Sequence, residues 1–530
     1  MSRVQIKRAI LSVFNKEKIV DFAKELEKNN VEILSTGGTY TLLVEKGIKC
    51  IKIEDFTGQK EFFGGRVKTL NPLIHGGILS KRDKESDDLE IKTIDLVVVN
   101  LYPFESIVEK GEKNIEELIE MIDIGGPTML RSCAKNYKFA CPVPSSDFYD
   151  IIIEDIKSGG LTEETRFKMA LEVFKLTSYY DSVISNILSK FSVNDKDSIY
   201  TNKSDIYNNF SQNFTIPLKK EIDMRYGENP HQKASYYHIP DYKENKLSDF
   251  FTEGKLWGKE LSYNNICDAT AAINILTDLD DKSCVVIKHQ NPCGAASRAN
   301  IYESFMAAYE GDKTSIFGGI VGFRGIVDEK TAKALSDIFL EIIIAESYTD
   351  EAYNILTKKK NIRLLKYENW KNTIFSDNSF QEIKKVVGGF LVQNKDFINP
   401  KNEEFKVATT VSPTKEQIED LKFAQTIVKN VKSNAIVLIK DKMLLGVGAG
   451  QMNRVTSARI ALDWAGDKAK GAVLGSDAFF PMPDTALLAI ERGIVAIIQP
   501  GGSINDKDSI KVCNDAGIPM IFTEIRHFLH

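Results

Sequence analysis

Lys288 and His289 follow an apolar run directly, within VVIKHQNPCGAA at 285–296. A histidine beside an ammonium group at the end of a buried strand suits a base at neutral pH; a lone histidine there is more often structural than catalytic, and the Lys-His pair makes the two readings about even. Upstream, MRYGENPHQ at 224–232 packs Arg225, Tyr226, a glycine turn and His231 into nine residues. Arg225 can grip a phosphate while Tyr226 stacks on a ring, or the segment is simply a turn into a strand.

The first 150 residues carry a second set. LSTGGTYTLL at 34–43 offers hydroxyls and two glycines where a strand passes into a helix, the place where backbone N–H groups receive a phosphate. A Gly-Gly pair also serves backbone geometry alone. In FFGGRVKTLNP at 62–72, Arg66 and Lys68 sit beside glycines, as an anion grip or as a solvated basic turn. NLYPF at 100–104 is followed by DIGGPTMLRSCAKN at 123–136, where a second Gly-Gly turn opens a helix carrying Lys135. Asp123 is a candidate proton-transfer group or a helix cap.

These segments need a frame, and the apolar rhythm supplies one. RAILSVF, KEKIVDFAKELEKNN and VEILS read as strand, amphipathic helix and strand, and IDLVVVNLYPF at 94–104 is apolar on both faces, as in the middle of a helix-covered parallel sheet. A doubly wound domain is expected over 1–192, with a polar, Asn- and Ser-rich linker at 193–217 and a second α/β region over 218–530. Within that region VVIKHQNPCGAA and AIVLIKDKMLLGVGAG echo each other, as do TSIFGG and GSDAFF, which predicts a duplicated subdomain.

Composition excludes several classes. The 530 residues are 43% hydrophobic and 27% charged, a soluble globular balance too long for one core. The net charge of -5 is interleaved along the chain, so nucleic acid is not an expected partner. Seven cysteines without a CxxC pair point to a reducing compartment, and neither a signal segment nor a membrane span is evident, so a cytoplasmic location is expected.

Taken together, STGGT, GGRVKT, NLYPF and DIGGPTMLR resemble, in order, the inosine monophosphate (IMP) cyclohydrolase domain of bifunctional purine-biosynthesis enzymes, whose fold is methylglyoxal synthase-like. The resemblance implies that Ser12, Phe14, Asn15, Lys16, Ser35, Thr36, Gly37, Gly38, Arg66, Val67, Lys68, Thr69, Asn100, Leu101, Asp123 and Ile124 surround the nucleotide. It also implies that Lys135 transfers a proton in ring closure, with Lys68, Asp123 and Tyr102 assisting. The family's SVSDK and KTLHP read SVFNK and KTLNP here, which leaves open whether residues 14 and 15 contact the ligand through side chains or through backbone groups.

The second half resembles the formyltransferase domain of the same enzymes through MRYGENPHQ, KHQNPCGAA, SIFGG, SNAIVLIK, GVGAGQMNR, SDAFFPMPD, PGGS and IRHFLH. This implies a duplicated cytidine deaminase-like α/β fold and a homodimer that completes the transferase sites. It implies 10-formyltetrahydrofolate as co-substrate and the aminoimidazole carboxamide ribonucleotide (AICAR) as acceptor. His289 would act as base, Lys288 as oxyanion stabiliser and Asn434 as the group holding the reactants in line. Arg225, Tyr226, Gly318, Glu341, Phe479 and Arg526 would surround the ribonucleotide, and Arg454, Val455, Asp484, Ser503 and Ile504 the folate. The fold's zinc signatures, H-x-E and C-x-x-C, do not occur, so no catalytic metal is expected. A nucleotide sensor and a single-activity enzyme are the competing readings, and Lys288, His289 and Lys135 argue against the first.

Overall fold

Runs such as AILSV and LVVVN are aliphatic on both faces because helices cover both sides of the sheet they form. The computed structural model describes residues 3–82, 91–112, 114–189, 191, 210–240, 248–368, 381–396, 398 and 405–530. It divides into two units, Met1–Lys219 with Ile239–Glu244, and Lys220–His238 with Asn245–His530. Residues 193–209 of the expected linker lie outside the described residues, and 210–217 form no helix or strand. No helix among the described residues is long and apolar enough to cross a membrane.

In the first unit Arg8–Val13 (β1), Glu32–Ser35 (β2), Ile51–Lys52 (β3), Leu96–Asn100 (β4) and Cys141–Val143 (β5) pair entirely in parallel, in the order β3-β2-β1-β4-β5. The order reverses at β1 and β4, and a crevice at their carboxyl ends follows from that topology. Helix α1 (Ile19–Lys28) turns Ile19, Phe22, Ala23 and Leu26 onto the sheet at helical spacing. Helices α2 (Gly37–Glu45) and α3 (Gly125–Lys135) both begin beside the crevice. The long helix α4 (Glu163–Leu188), capped by Thr162, packs against α3.

The second unit is built twice. Its first repeat runs Lys255–Trp257 (β6), Tyr263–Asp278 (α5), Ser283–Lys288 (β7), Asn291–Ser297 (β8), Ile301–Gly311 (α6), Gly319–Phe323 (β9), Glu329–Ser336 (α7), Leu340–Ala345 (β10), Asp350–Leu356 (α8) and Arg363–Lys366 (β11). Its second runs Lys406–Val407 (β12), Lys415–Val428 (α9), Ile436–Lys440 (β13), Met443–Gly448 (β14), Arg454–Ala465 (α10), Val473–Ser476 (β15), Asp484–Glu491 (α11), Ala496–Gln499 (β16), Asp506–Asp515 (α12) and Met520–Phe522 (β17).

One twelve-stranded sheet joins the repeats, in the order β12-β17-β16-β15-β13-β14-β8-β7-β9-β10-β11-β6. Read from the central β14 and β8 outward, the two halves have the same sequence of strands and the same parallel and antiparallel pairings. The expected duplication is therefore present, but one of the two echoes is not part of it. TSIFGG leads into β9, whereas GSDAFF begins at the far end of β15, so only VVIKHQNPCGAA and AIVLIKDKMLLGVGAG occupy matching places.

A buried cation ties the first unit's helices together. The Arg166 guanidinium of α4, almost fully enclosed, donates to the carbonyls of Tyr137 (2.8 Å), Lys138 (3.2 Å) and Leu161, anchoring the segment that leaves α3. Burial pulls its pKa below the usual arginine value. Arg166→Ala strands three acceptors and is expected to cost about 2–4 kcal/mol. Urea-dependent amide exchange in β4 and β5 measures it, and an unshifted midpoint would show that the three carbonyls find water instead.

Candidate active sites

An open cleft of about 830 Å³ lies at the carboxyl ends of β1 and β4. Of the expected residues it gathers Ser12, Phe14, Lys16, Thr36, Gly37, Gly38, Arg66, Lys68, Thr69, Asn100, Tyr102, Asp123 and Ile124. Two helix N-termini face it. Gly37 opens α2 with φ of +49°, a left-handed geometry that disfavours side chains, and Gly126 near the start of α3 is approached so closely by Asp123 that a Cβ would lie 2.5 Å from Oδ2.

The cleft's charges are arranged in pairs. Arg66 meets Glu120 in an exposed pair, and half-buried Lys68 lies with its Nζ 2.9 Å from Glu61; both pairs can be exchanged for an anionic ligand. Lys16 is more enclosed; its Nζ donates to Val13 O and to Thr39 Oγ1 at 3.1 Å, and burial lowers its pKa. Asp123 is held on three sides. Its N–H donates to Tyr180 Oη (2.9 Å), its Oδ1 accepts from Gly126 N–H (2.9 Å), and burial raises its carboxyl pKa against the opposing backbone bonds from Gly126 and Tyr102. Tyr102 stands at the mouth, its ring edge-on to Phe14 at 5.6 Å.

Five expected residues do not line this cleft. Ser35 is fully buried and donates to Leu11 O (2.8 Å) inside the sheet, and Leu101 packs into the core behind. Val67 bridges back to Phe62. The backbone N–H groups of Phe14 and Asn15 both donate to Asn100 Oδ1, at 2.5 and 3.0 Å, so they are not open to a ligand. Asn100 acts here as the holder of that loop. Lys135 is the clearest correction: it is exposed in the last turn of α3, ten residues and about 15 Å along the helix from Gly125. Among the described residues, the lysines that line this cleft are Lys16 and Lys68.

In the second unit the expected residues lie along one edge of the twelve-stranded sheet. Lys288 ends β7, its Nζ donating to the carbonyls of Phe317 (2.9 Å) and Gly318 (3.0 Å). Gly318 has φ of +69°, and a Cβ there would stand 3.1 Å from that ammonium. His289 is exposed in the tight turn between β7 and β8. Glu341 starts β10 beside Gly318 and accepts from Asn265 Nδ2 (2.6 Å), while the Arg225–Tyr226 loop touches the same helix through Asn264 and Glu228. On the second repeat Asn434 precedes β13, Phe479 and Asp484 follow β15, Ser503 and Ile504 follow β16, and Arg526 follows β17 over the Phe528 ring. Ile504 is 99% exposed. The C-terminal tail folds back along this edge, Ser433 N–H donating to Leu529 O (2.9 Å) and His527 N–H to Asp477 O (3.0 Å).

Arg454 departs from its expected place beside the folate. Its guanidinium is buried, paired with Asp477 and bonded to Ser476 Oγ (2.9 Å), and its remaining arm donates to Asn434 Oδ1 (2.7 Å). It therefore aims Asn434, and Val455 beside it, half-buried, is the residue of that helix start nearer solvent. Sequence reasoning missed Glu61, Glu120, Thr39, Asp268, Asn291 and Asp477, because their roles depend on neighbours far away in the chain.

Residues 18–128 match the MGS-like domain family and residues 133–464 the family described as AICARFT/IMPCHase bienzyme. The bifunctional purine biosynthesis protein PurH of Thermoanaerobacter sp. (strain X514) is 48% identical over 530 residues, spanning 99% of this chain and 100% of its own. PurH of Bacillus cereus (strain B4264) is 47% identical with the same coverage. The solved crystal structure of ForH is 32% identical, covers 34% of this chain and 95% of its own, and has a TM-score of 0.31. With near half its residues shared along the full length of such relatives, and its motifs set out at two strand-edge sites, the chain belongs to the AICARFT/IMPCHase bienzyme family.

Proposed function

We propose that the protein performs the last two steps of IMP synthesis, formyl transfer to AICAR in the second unit and dehydrative ring closure in the first. The convergence of Lys68, Asp123 and Tyr102 in a cleft between two helix N-termini is the observation that carries the ring-closure assignment. Closure needs the carboxamide nitrogen to attack the formyl carbon and the resulting hydroxyl to leave as water, so positioning and proton transfer supply most of the rate. The phosphate fits the N–H groups at the start of α2 with Lys16 and Arg66. Lys68 polarises the formyl oxygen, and the Asp123 carboxylate with Tyr102 orients the amide and receives its proton.

For formyl transfer, His289 takes a proton from the 5-amino group of AICAR as that nitrogen attacks the formyl carbon of 10-formyltetrahydrofolate. The tetrahedral oxyanion is stabilised by Lys288, and its collapse releases tetrahydrofolate. Asn434, held by Arg454, keeps the two reactants in line. Glu341, Phe479 and Arg526 favour the ribonucleotide end and Val455, Asp484, Ser503 and Ile504 the folate end. A homodimer in the cytoplasm is the expected working form, since these groups are strung along an edge of nine neighbouring strands from β17 to β10, roughly 38 Å at the usual strand spacing.

Purified protein given AICAR and 10-formyltetrahydrofolate should release tetrahydrofolate and IMP in step, followed by absorbance and chromatography; formylated nucleotide that accumulates would remove the ring-closure assignment. His289→Ala should lower formyl transfer at least 10²-fold while cyclisation of supplied formylated nucleotide stays intact, and retained transfer would rule out His289 as the base. Because burial raises the Asp123 pKa, cyclisation should fall on acidification from a pH above the ordinary aspartate value of about 3.9. Asp123→Asn should lower kcat about 10²-fold and flatten that limb, and a pH profile unchanged by the substitution would assign the limb to another group.

A further inference from the structure

The turn that carries His289 exists twice. Ser262 and Thr414 cap α5 and α9 with the same reciprocal box, and Asp268 and Asp420 stand six residues further on. Lys288 and Lys440 end the paired strands, so these positions all repeat at an offset of 152 residues (Ser262 to Thr414, Asp268 to Asp420, Lys288 to Lys440). Both turns are two-residue hairpins with left-handed backbone at both positions: φ is 52° and 62° at His289 and Gln290, and 50° and 49° at Asp441 and Lys442. None of the four is glycine, and side-chain acceptors hold each turn. Asp420 accepts from the N–H groups of Asp441 (2.8 Å) and Lys442 (2.6 Å), and Asp268 accepts from that of Gln290 (2.8 Å).

That clamp belongs to the fold, because it is also present in the repeat without a Lys-His pair. The repeats differ at the next residue. Asn291 closes the first turn opposite Lys288, and Met443 closes the second opposite Lys440. The Asn291 carboxamide has two partners: Nδ2 donates to His289 O (3.1 Å), and Oδ1 accepts from Lys432 N–H (3.2 Å). Lys432 lies two residues before Asn434 in the other repeat, in a segment fixed by Ser433 Oγ donating to Asp477 (2.5 Å) and Ser457 Oγ donating to Asn434 O (2.8 Å). Methionine at the matching position can make neither bond.

We infer that Asn291 is a positioning residue for formyl transfer, one carboxamide that sets the spacing between the His289 turn of the first repeat and the Asn434 segment of the second. The inference rests on the proposed role of His289. It assigns the catalytic asymmetry of the duplicated fold to a bridge at the repeat junction, in addition to the Lys-His pair itself.

The test compares full-length Asn291→Ala, Asn291→Asp, Asp420→Asn and His289→Ala. Asn291→Ala should lower kcat for formyl transfer about 10- to 100-fold, the cost of a displacement near 1 Å. KM for both substrates should stay within about threefold of the parent, and cyclisation of supplied formylated nucleotide should not change. Asn291→Asp, which keeps the shape and the acceptor but loses the donor to His289 O, should have the same kcat signature with an unaltered melting temperature. Asp420→Asn, which weakens the clamp of the other turn, should leave formyl transfer at the parental rate. A parental kcat in both Asn291 variants, or an equal loss in Asp420→Asn, would overturn the inference. His289→Ala with undiminished transfer would overturn the reading beneath it as well, which separates the two failures.

Discussion

Peptide N–H groups at the ends of strands have to find acceptors once the ladder stops, and in this chain side chains supply them at both candidate sites. In the first unit the Asn100 carboxamide receives the N–H groups of Phe14 and Asn15 and donates back to Asn15 O (3.0 Å), locking the loop after β1 to the end of β4. In the second unit Asp268 accepts the Gln290 N–H of the turn after β7, and Asn291 Nδ2 donates to the His289 carbonyl of the same turn. A loop secured in this way has few conformations left, so the groups it carries approach a substrate without paying the ordering cost on binding.

Much of this was legible from the chain. The period of the apolar residues identified β1, α1, β2 and β4, and Gly-Gly pairs marked the starts of α2 and α3. Most of the residues singled out by the first half's motifs line one cleft, because residues close in sequence at a strand-to-helix turn are close in space. The failures share a physical cause. Lys135 shares a motif with Asp123, yet a helix rises about 1.5 Å per residue, and eleven helical residues carry it away from the cleft. Ser35 sits next to Thr36, but alternation along a strand turns it into the core. Arg454 reads as a ligand-binding cation, and only the fold brings Asp477 against it, 23 residues further along.

The duplication clarifies which features are architecture and which are function. Capping boxes, the aspartate clamp and the left-handed hairpin recur in both repeats. They follow from the need to end a helix, cross to a strand and reverse tightly, whatever chemistry is carried. Lys288 is likewise matched by Lys440, but the surroundings differ: Lys288 Nζ donates to the carbonyls of Phe317 and Gly318, whereas Lys440 Nζ donates to Lys470 O (3.1 Å) on the surface. Lys288 is half-buried against the segment that leads into β9, and Lys440 is exposed.

The junction between the repeats is where the proposed transfer residues of the second unit meet. β8 and β14 pair at the centre of the sheet, so the His289 turn and the Asn434 segment end on the same edge with two strands between them. A sheet of this kind twists from strand to strand, so the His289 turn and the Asn434 segment would otherwise be positioned only through the strands between them. Side-chain bonds that cross between strand ends, from Asn291 to Lys432 and from Arg454 to Asn434, make the relative position of the two groups depend on short hydrogen bonds instead of on the register of several strands. The two halves share their topology and differ at this edge, where Asn291 closes the first turn and Met443 takes the matching place in the second.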